Sequence, residues 1–130
     1  MTDRRLRARN ATREAVLGAS LEVAESFGGR LMGLMGRAAL PPRGGMWLRP
    51  GSSIHMLFMR FPIDAVFLAH AGAEGGRRVV AVHPSLRPWL GVVWWARGAD
   101  GVLELPAGTA AATGTVVGDV IVLEEAAGGA

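Results

Sequence analysis

Between Ser52 and Leu68 the chain reads SSIHMLFMRFPIDAVFL, a densely apolar stretch that nonetheless carries His55, Arg60 and Asp64. A charge in such surroundings must be paired or must point at water, because burying it alone is costly. Two β-type runs, Ile54–Met59 and Asp64–Leu68, flank the join Arg60-Phe61-Pro62-Ile63. Pro62 fixes its own φ and biases Phe61 toward extended geometry, so the join is a stiffened corner. The stretch therefore folds as short strands around a bend, and its three polar side chains each need a structural or a chemical reason.

The rest of the chain is punctuated in the same way. Its 130 residues include 19 glycines and 7 prolines, and half are apolar, which suits many short strands and turns better than long helices. That length is most simply one domain with a real core. Arg60 and Asp64 interrupt the best apolar run short of the roughly 18 residues a membrane helix needs. No apolar signal-peptide core follows the basic N-terminal residues, so a soluble, cytoplasmic protein with no membrane span is expected.

Cysteine, lysine and tyrosine are missing altogether. Disulfides, thiolate zinc sites and thiol nucleophiles are thereby excluded, as are Schiff-base lysines and the lysine of a P-loop. The isoelectric point of 11.2 follows from the same absences, because little titrates between histidine and arginine. The net charge is only +3, and five arginines with one aspartate fall within the first 13 residues, leaving the remainder at −1.

Along the chain, Arg5, Arg7 and Arg9 alternate with Leu6, Ala8 and Asn10. Residues 1–15 are expected as a basic arm or an edge strand whose arginines discourage aggregation. Without interleaved aromatics for base stacking, nucleic acid is not the expected partner. Residues 16–125 then form the single β domain, and 126–130 a disordered tail. Val16–Glu25 reads as a strand, followed by a short helix from Phe27 to about Met35, capped by Ser26 and ended by Gly36. Further strands are expected at Met46–Leu48, Arg78–His83, Val102–Leu105 and Val120–Glu124, with Ala71–Gly76 as a hairpin tip. Thr109 is expected to cap one helical turn ending near Gly114, and Asp119 to be a turn residue.

Pro84–Ala96 carries Trp89, Trp94 and Trp95, with Arg87 before the tryptophans and Arg97 after them. Neighbouring tryptophans on a strand face opposite sides, so Trp94 and Trp95 cannot both fill one core. Tryptophan and arginine dominate binding hot spots, so this segment reads either as a partner patch or as a core-covering loop.

Several segments in order carry a resemblance. They are Leu31-Met32-Gly33-Leu34-Met35-Gly36-Arg37, Leu40-Pro41, Gly45-Met46, Ile54-His55, Met59-Arg60-Phe61-Pro62-Ile63-Asp64, Val102-Leu103-Glu104-Leu105-Pro106-Ala107-Gly108, and Gly114 with Val117-Gly118-Asp119. Together they resemble the domain of unknown function 192 family of small bacterial and archaeal proteins. The resemblance implies a mainly β fold: a compact antiparallel barrel- or sandwich-like domain with one or two short helices. It brings no assigned activity. Some members adjoin genes for envelope, pilus or secretion machinery, which implies an accessory role. Many relatives read Trp-Met-Lys or Trp-Met-Arg and then Asn-Thr where this chain has Phe58-Met59-Arg60-Phe61-Pro62. A cysteine found in a closer subgroup is Gly51 here, so any thiol-dependent role is lost.

The residues leave several chemistries to weigh. His55 and Asp64 could couple as a general base, with Ser53 on the same strand face, but no strained elbow marks Ser53 as a nucleophile. The bland reading has Asp64 pairing with Arg60 or capping a turn. His55, His70 and His83 lack metal-ligand spacing, so neither a metal nor a cofactor is expected. Glu104, between Leu103 and Leu105, is expected to form a structural pair with an arginine such as Arg97 or Arg37. The preferred reading is a binding module for a protein partner or small ligand, through His55, Arg60, Asp64, Trp89, Trp94 and Arg97. A hydrolase or metal-dependent enzyme using His55 and Asp64 is the alternative, and nucleic-acid binding through the N-terminal arginines is the weaker one.

Overall fold

The computed structural model describes residues 4–24, 39–40, 43–51, 53–56, 59–93 and 95–126. Within them, seven strands close into a barrel and two short strands form a separate ribbon. The barrel strands are β1 (Arg5–Asn10), β2 (Ala15–Ala24), β3 (Met46–Leu48), β5 (Ile63–Leu68), β6 (Arg77–Leu86), β8 (Gly101–Pro106) and β9 (Val120–Glu125). The ribbon pairs β4 (Ile54–His55) with β7 (Val92–Val93). One helix, α1 (Thr109–Thr113), lies among the described residues.

Around the barrel the order is β1-β2-β3-β8-β5-β6-β9, and β9 returns to β1. All neighbours are antiparallel except β2 and β3, which run parallel. The expected mainly antiparallel β domain is thus found, with one parallel seam. A parallel pair needs a crossover, and residues 25–45 supply it. The helix expected from Phe27 to Met35 falls in that crossover and lies outside the described residues, as do residues 127–130 of the expected tail. The segment expected as an arm or edge strand forms β1, with a ladder on each side.

Strand alternation sorts the apolar residues into two cores. Leu6, Leu17, Leu21, Trp47, Val66, Leu68, Leu103, Leu105 and Ile121 point inward and fill the barrel. Their neighbours Met46, Leu48, Ile63, Ala65, Phe67 and Val102 point outward into a second cluster, roofed by Leu40, Met56, Met59, Phe61, Val93 and Ala96. Each fully buried large side chain contributes about 1.5–3 kcal/mol by leaving water. The apolar stretch of the sequence therefore serves both cores: β5 fills the barrel on one face, and the segment before it roofs the other.

The outward arginines of β1 are neutralised across its two ladders. Arg7 and Arg9 reach Glu124 at 3.2 and 3.5 Å, and Arg5 reaches Glu22 at 3.9 Å. Such exposed pairs contribute at most about 1 kcal/mol each, but they fit the register of both neighbours.

One end of the barrel is closed by a buried polar cluster. Asn10 Nδ2 donates to Thr115 Oγ1 at 3.1 Å and to Asp119 Oδ2 at 3.0 Å. Its Oδ1 accepts the backbone N–H groups of Thr12 and Arg13, which shapes the β1–β2 turn. Arg13 grips the same carboxylate through Nε and Nη2 at 3.0 and 3.4 Å, and the Val116 N–H donates to its Oδ2 at 3.1 Å. Asp119 does sit at a turn, but it also ties β9 to the β1–β2 corner.

The bonds from Arg13 and then Asn10, which outweigh its burial, hold the Asp119 carboxyl down at about 2, against an ordinary 3.8. A carboxyl held down in the folded state stabilises the fold above its unfolded value and loses that contribution as pH falls through the folded one. Thermal stability should therefore drop as pH falls from about 4 toward 2. In Asp119→Asn this part of the acid sensitivity should disappear, as measured by melting temperature against pH.

Candidate functional site

Asp64 is the second residue of β5, with its side chain turned to the inside of the barrel, where it is fully buried. Its Oδ1 accepts the N–H groups of Ser85 at 2.8 Å and Gly108 at 3.2 Å, and its Oδ2 accepts that of Ala110 at 2.8 Å. Gly108 is the N-cap of α1, and it offers no capping side chain. A carboxylate from a distant strand thus satisfies the donors that a helix start leaves open. Thr109 was expected to do this, but its hydroxyl donates back to the Pro106 carbonyl at 2.7 Å. Gly114, at φ 69°, ends the helix as expected.

Ser85 takes a positive φ of 51°, and Gly108 one of 97°. Both turns aim an N–H at the same carboxylate, so Asp64 ties β5, the end of β6 and α1 together. Chemically this is a backbone-binding carboxylate.

The other sequence candidates are distributed around a lobe outside the barrel. His55 lies on β4, opposite Val92 of β7; its side chain falls outside the described residues, as does Trp94. Trp89 donates its backbone N–H to Met56 O at 2.7 Å, while Met56 donates to Gly91 O at 2.9 Å. The 53–56 and 89–93 segments are therefore brought together as backbone. Trp89 takes a positive φ of 65°, uncommon for a bulky residue, and Gly91 N–H closes the turn onto Arg87 O at 2.8 Å. Gly91 has little room for a side chain, since a Cβ there would crowd Met56 and Leu86.

The side chains this loop presents are apolar and exposed: Trp89 at 51%, Leu90 at 74%, Val92 at 39% and Trp95 at 67% of their full accessible surface. Val93 and Ala96 instead sink into the roofing core. Arg60, Arg87 and Arg97 are exposed. Glu104 is buried on the outward face of β8, opposite Met46 and Ala65 in the two ladders, whereas Arg97 sits in an exposed turn. Beyond Ala65 on that face lies His83, whose ring meets Phe67 edge-on with centroids 5.9 Å apart.

A second concave feature went unread in the sequence. At the barrel end away from α1 there is a cavity of about 540 Å³, with Leu6, Val23, Trp47 and Leu123 on its walls and Arg4, Arg49 and Arg77 about its rim. Arg77 lies 5.0 Å from the Trp47 ring centroid, a cation–π distance. Asp100 anchors two of these arginines, accepting Arg49 Nε at 2.7 Å and Arg77 Nη1 at 2.8 Å on one oxygen. Burial pushes the Asp100 carboxyl up, but the hydrogen bonds from Arg77 and Arg49 outweigh it and hold the pKa below its ordinary value. His70 Nδ1 stands 3.4 Å from the other oxygen. The sequence signal was the set of polar residues at strand ends, Arg49 after β3 and Arg77 opening β6, which only the barrel places at one mouth. Among the described residues, no group of three His, Asp or Glu side chains is placed to hold a metal ion. No helix among them is long and apolar enough to cross a membrane.

The model of the domain of unknown function 192 family, described as an uncharacterized ACR, matches residues 8–123. The chain belongs to this family. As a domain of unknown function 192 protein it has likenesses of known structure. One is a candidate transcription regulator from Sinorhizobium meliloti 1021, at 27% identity and a TM-score of 0.73, over 95% of this chain and 93% of that one. Another is a protein of unknown function from Novosphingobium aromaticivorans DSM 12444, at 24% identity and a TM-score of 0.70, over 90% of this chain and 82% of that one; it shares the fold. No curated protein matches the sequence.

Removing the Asp64 carboxylate would strand three backbone donors. Asp64→Ala should cost about 3 kcal/mol or more, lowering the melting temperature by roughly 10 °C. Asp64→Asn, which keeps an acceptor oxygen, should lose distinctly less in the same thermal melt.

Proposed function

We propose that this protein is a non-enzymatic binding module that docks a protein partner through the lobe of Trp89, Leu90, Val92 and Trp95. The observation that carries this reading is the combination of a locked backbone with exposed large apolar side chains. A preorganised loop loses little conformational entropy on docking, and tryptophan is the residue most enriched at binding hot spots. No aspartate or glutamate occurs between Pro84 and Gly98, whereas Arg87 and Arg97 are exposed there. The partner surface that fits is apolar and rimmed by acidic side chains.

Two features favour binding over turnover. The Asp64 carboxylate that a His55 couple would need is engaged by three backbone donors. The Sinorhizobium protein is named as a candidate transcription regulator, a description of regulation and not of turnover. Direct nucleic-acid contact draws less support, because the arginines of β1 are met by Glu22 and Glu124.

The test is affinity capture with the wild-type chain beside a Trp89→Ala/Trp95→Ala double variant, then titration of the recovered partner in purified form. Each tryptophan removed should weaken binding by about 2 kcal/mol, roughly 30-fold in Kd. Equal capture by both forms removes the lobe from the interface. Co-sedimentation of the wild type with anionic vesicles, lost in the double variant, would replace the protein partner with a lipid surface.

A further inference from the structure

The mouth of the barrel is a separate site from the partner lobe, and its chemistry is more specific. Three conditions for a small-molecule site meet there. Its volume of about 540 Å³ falls within the range of ligand pockets, roughly 300–1,000 Å³. Its lining is mixed: the apolar side chains of Leu6, Trp47 and Leu123, which pack with the inward set of the barrel, lie within a wall that is polar over most of its surface. Its rim carries guanidinium groups, which suit carboxylate oxygens in a planar, two-pronged geometry.

The guanidiniums keep donors to offer. Arg49 meets Asp100 through Nε, leaving both of its terminal NH2 groups. Arg77 uses Nη1 for both the Ala69 carbonyl and Asp100, leaving Nε and Nη2. Arg77 is also fixed in place: its side chain is only 14% exposed and lies over Trp47. Gly101 fixes the indole in turn, because a Cβ there would collide with the Trp47 ring and the Leu48 carbonyl. The donors are thus held by packing before any ligand arrives, which reduces the ordering cost of binding.

The charge balance narrows the ligand. Arg49 and Arg77 share the one carboxylate of Asp100, which leaves one net positive charge on that trio. A singly charged head group neutralises it, whereas a doubly charged phosphate ester overshoots. We infer that the barrel mouth binds an organic monocarboxylate, with its carboxylate on Arg49 and Arg77 and its apolar body against Leu6, Trp47 and Leu123. This assignment is independent of the partner lobe.

The probe is decanoate, with 1-decanol as its neutral counterpart and decyl phosphate as its doubly charged one. Binding to the full chain is followed by isothermal titration and by amide and indole chemical shifts. Decanoate should bind with shifts centred on the Trp47 indole and Leu123, and at least tenfold more tightly than either of the other two. Arg49→Gln, at an exposed side chain, should weaken decanoate about tenfold and leave 1-decanol unchanged. Leu123→Trp, which fills the mouth, should abolish both. The Trp89→Ala/Trp95→Ala variant should bind decanoate like the wild type, so the failure of either site is read separately. Equal binding of decanoate and 1-decanol would overturn anion recognition, and a preference for decyl phosphate would overturn the monocarboxylate class. Shifts centred on the 89–95 loop, or no binding at millimolar decanoate, would overturn the site itself.

Discussion

The fold depends on two strands that are buried on both faces. β5 is buried at every position and β8 at all but its last, so neither has a side for water. Antiparallel sheets commonly leave one face wet, and their strands then alternate in polarity. Here the inner face is satisfied by closing the sheet into a barrel, and the outer face by the roof of Met56, Met59, Phe61, Val93 and Ala96. The ribbon β4–β7 and the exposed loop between Arg87 and Trp95 are by-products of that roof. The lobe that carries the exposed Trp89 and Trp95 is anchored by residues whose first task is to keep water off β5 and β8.

Electrostatics follows the same division. Three buried carboxylates are found where strands end and something must be tied. Asp119 joins β9 to the β1–β2 corner, Asp64 holds the start of α1, and Asp100 gathers Arg49 and Arg77. None of these three is left as a bare charge in the interior, in line with the large cost of that state. The first two close one end of the barrel. The third uses its arginines at the opposite end, which stays open.

Much of this was legible in the sequence because it is local. The period-two run at Arg5–Asn10, the strand at Val120–Glu124, the hairpin tip at Ala71–Gly76 and the stop at Gly114 all depend on neighbours in the chain. What was not legible depends on distance. The parallel seam between β2 and β3 has no local signature, because it is set by how the crossover returns. Asp64 resembled chemistry because its partners are backbone groups 21 to 46 residues away, which no side-chain pattern announces. The mouth was invisible for the same reason. Arg4, Arg49 and Arg77 stand far apart in sequence and share only an end of the barrel. Trp89 and Trp95 were visible as surplus tryptophan, and both are exposed.

Closure of the sheet joins the earliest strand to the last. Ala126 N–H bonds the Arg5 carbonyl at 3.2 Å, and five register pairs link β1 to β9. During synthesis, β1 and its hairpin with β2 are made long before the strand that completes them. Until β9 emerges, β1 keeps a row of open backbone groups and the barrel interior has no final wall. Such topologies, rich in pairings between remote segments, fold slowly and depend on late closure. The alternating arginines of β1 then have a role in time as well as in space: they charge an edge that must wait, and meet Glu124 only when the barrel shuts.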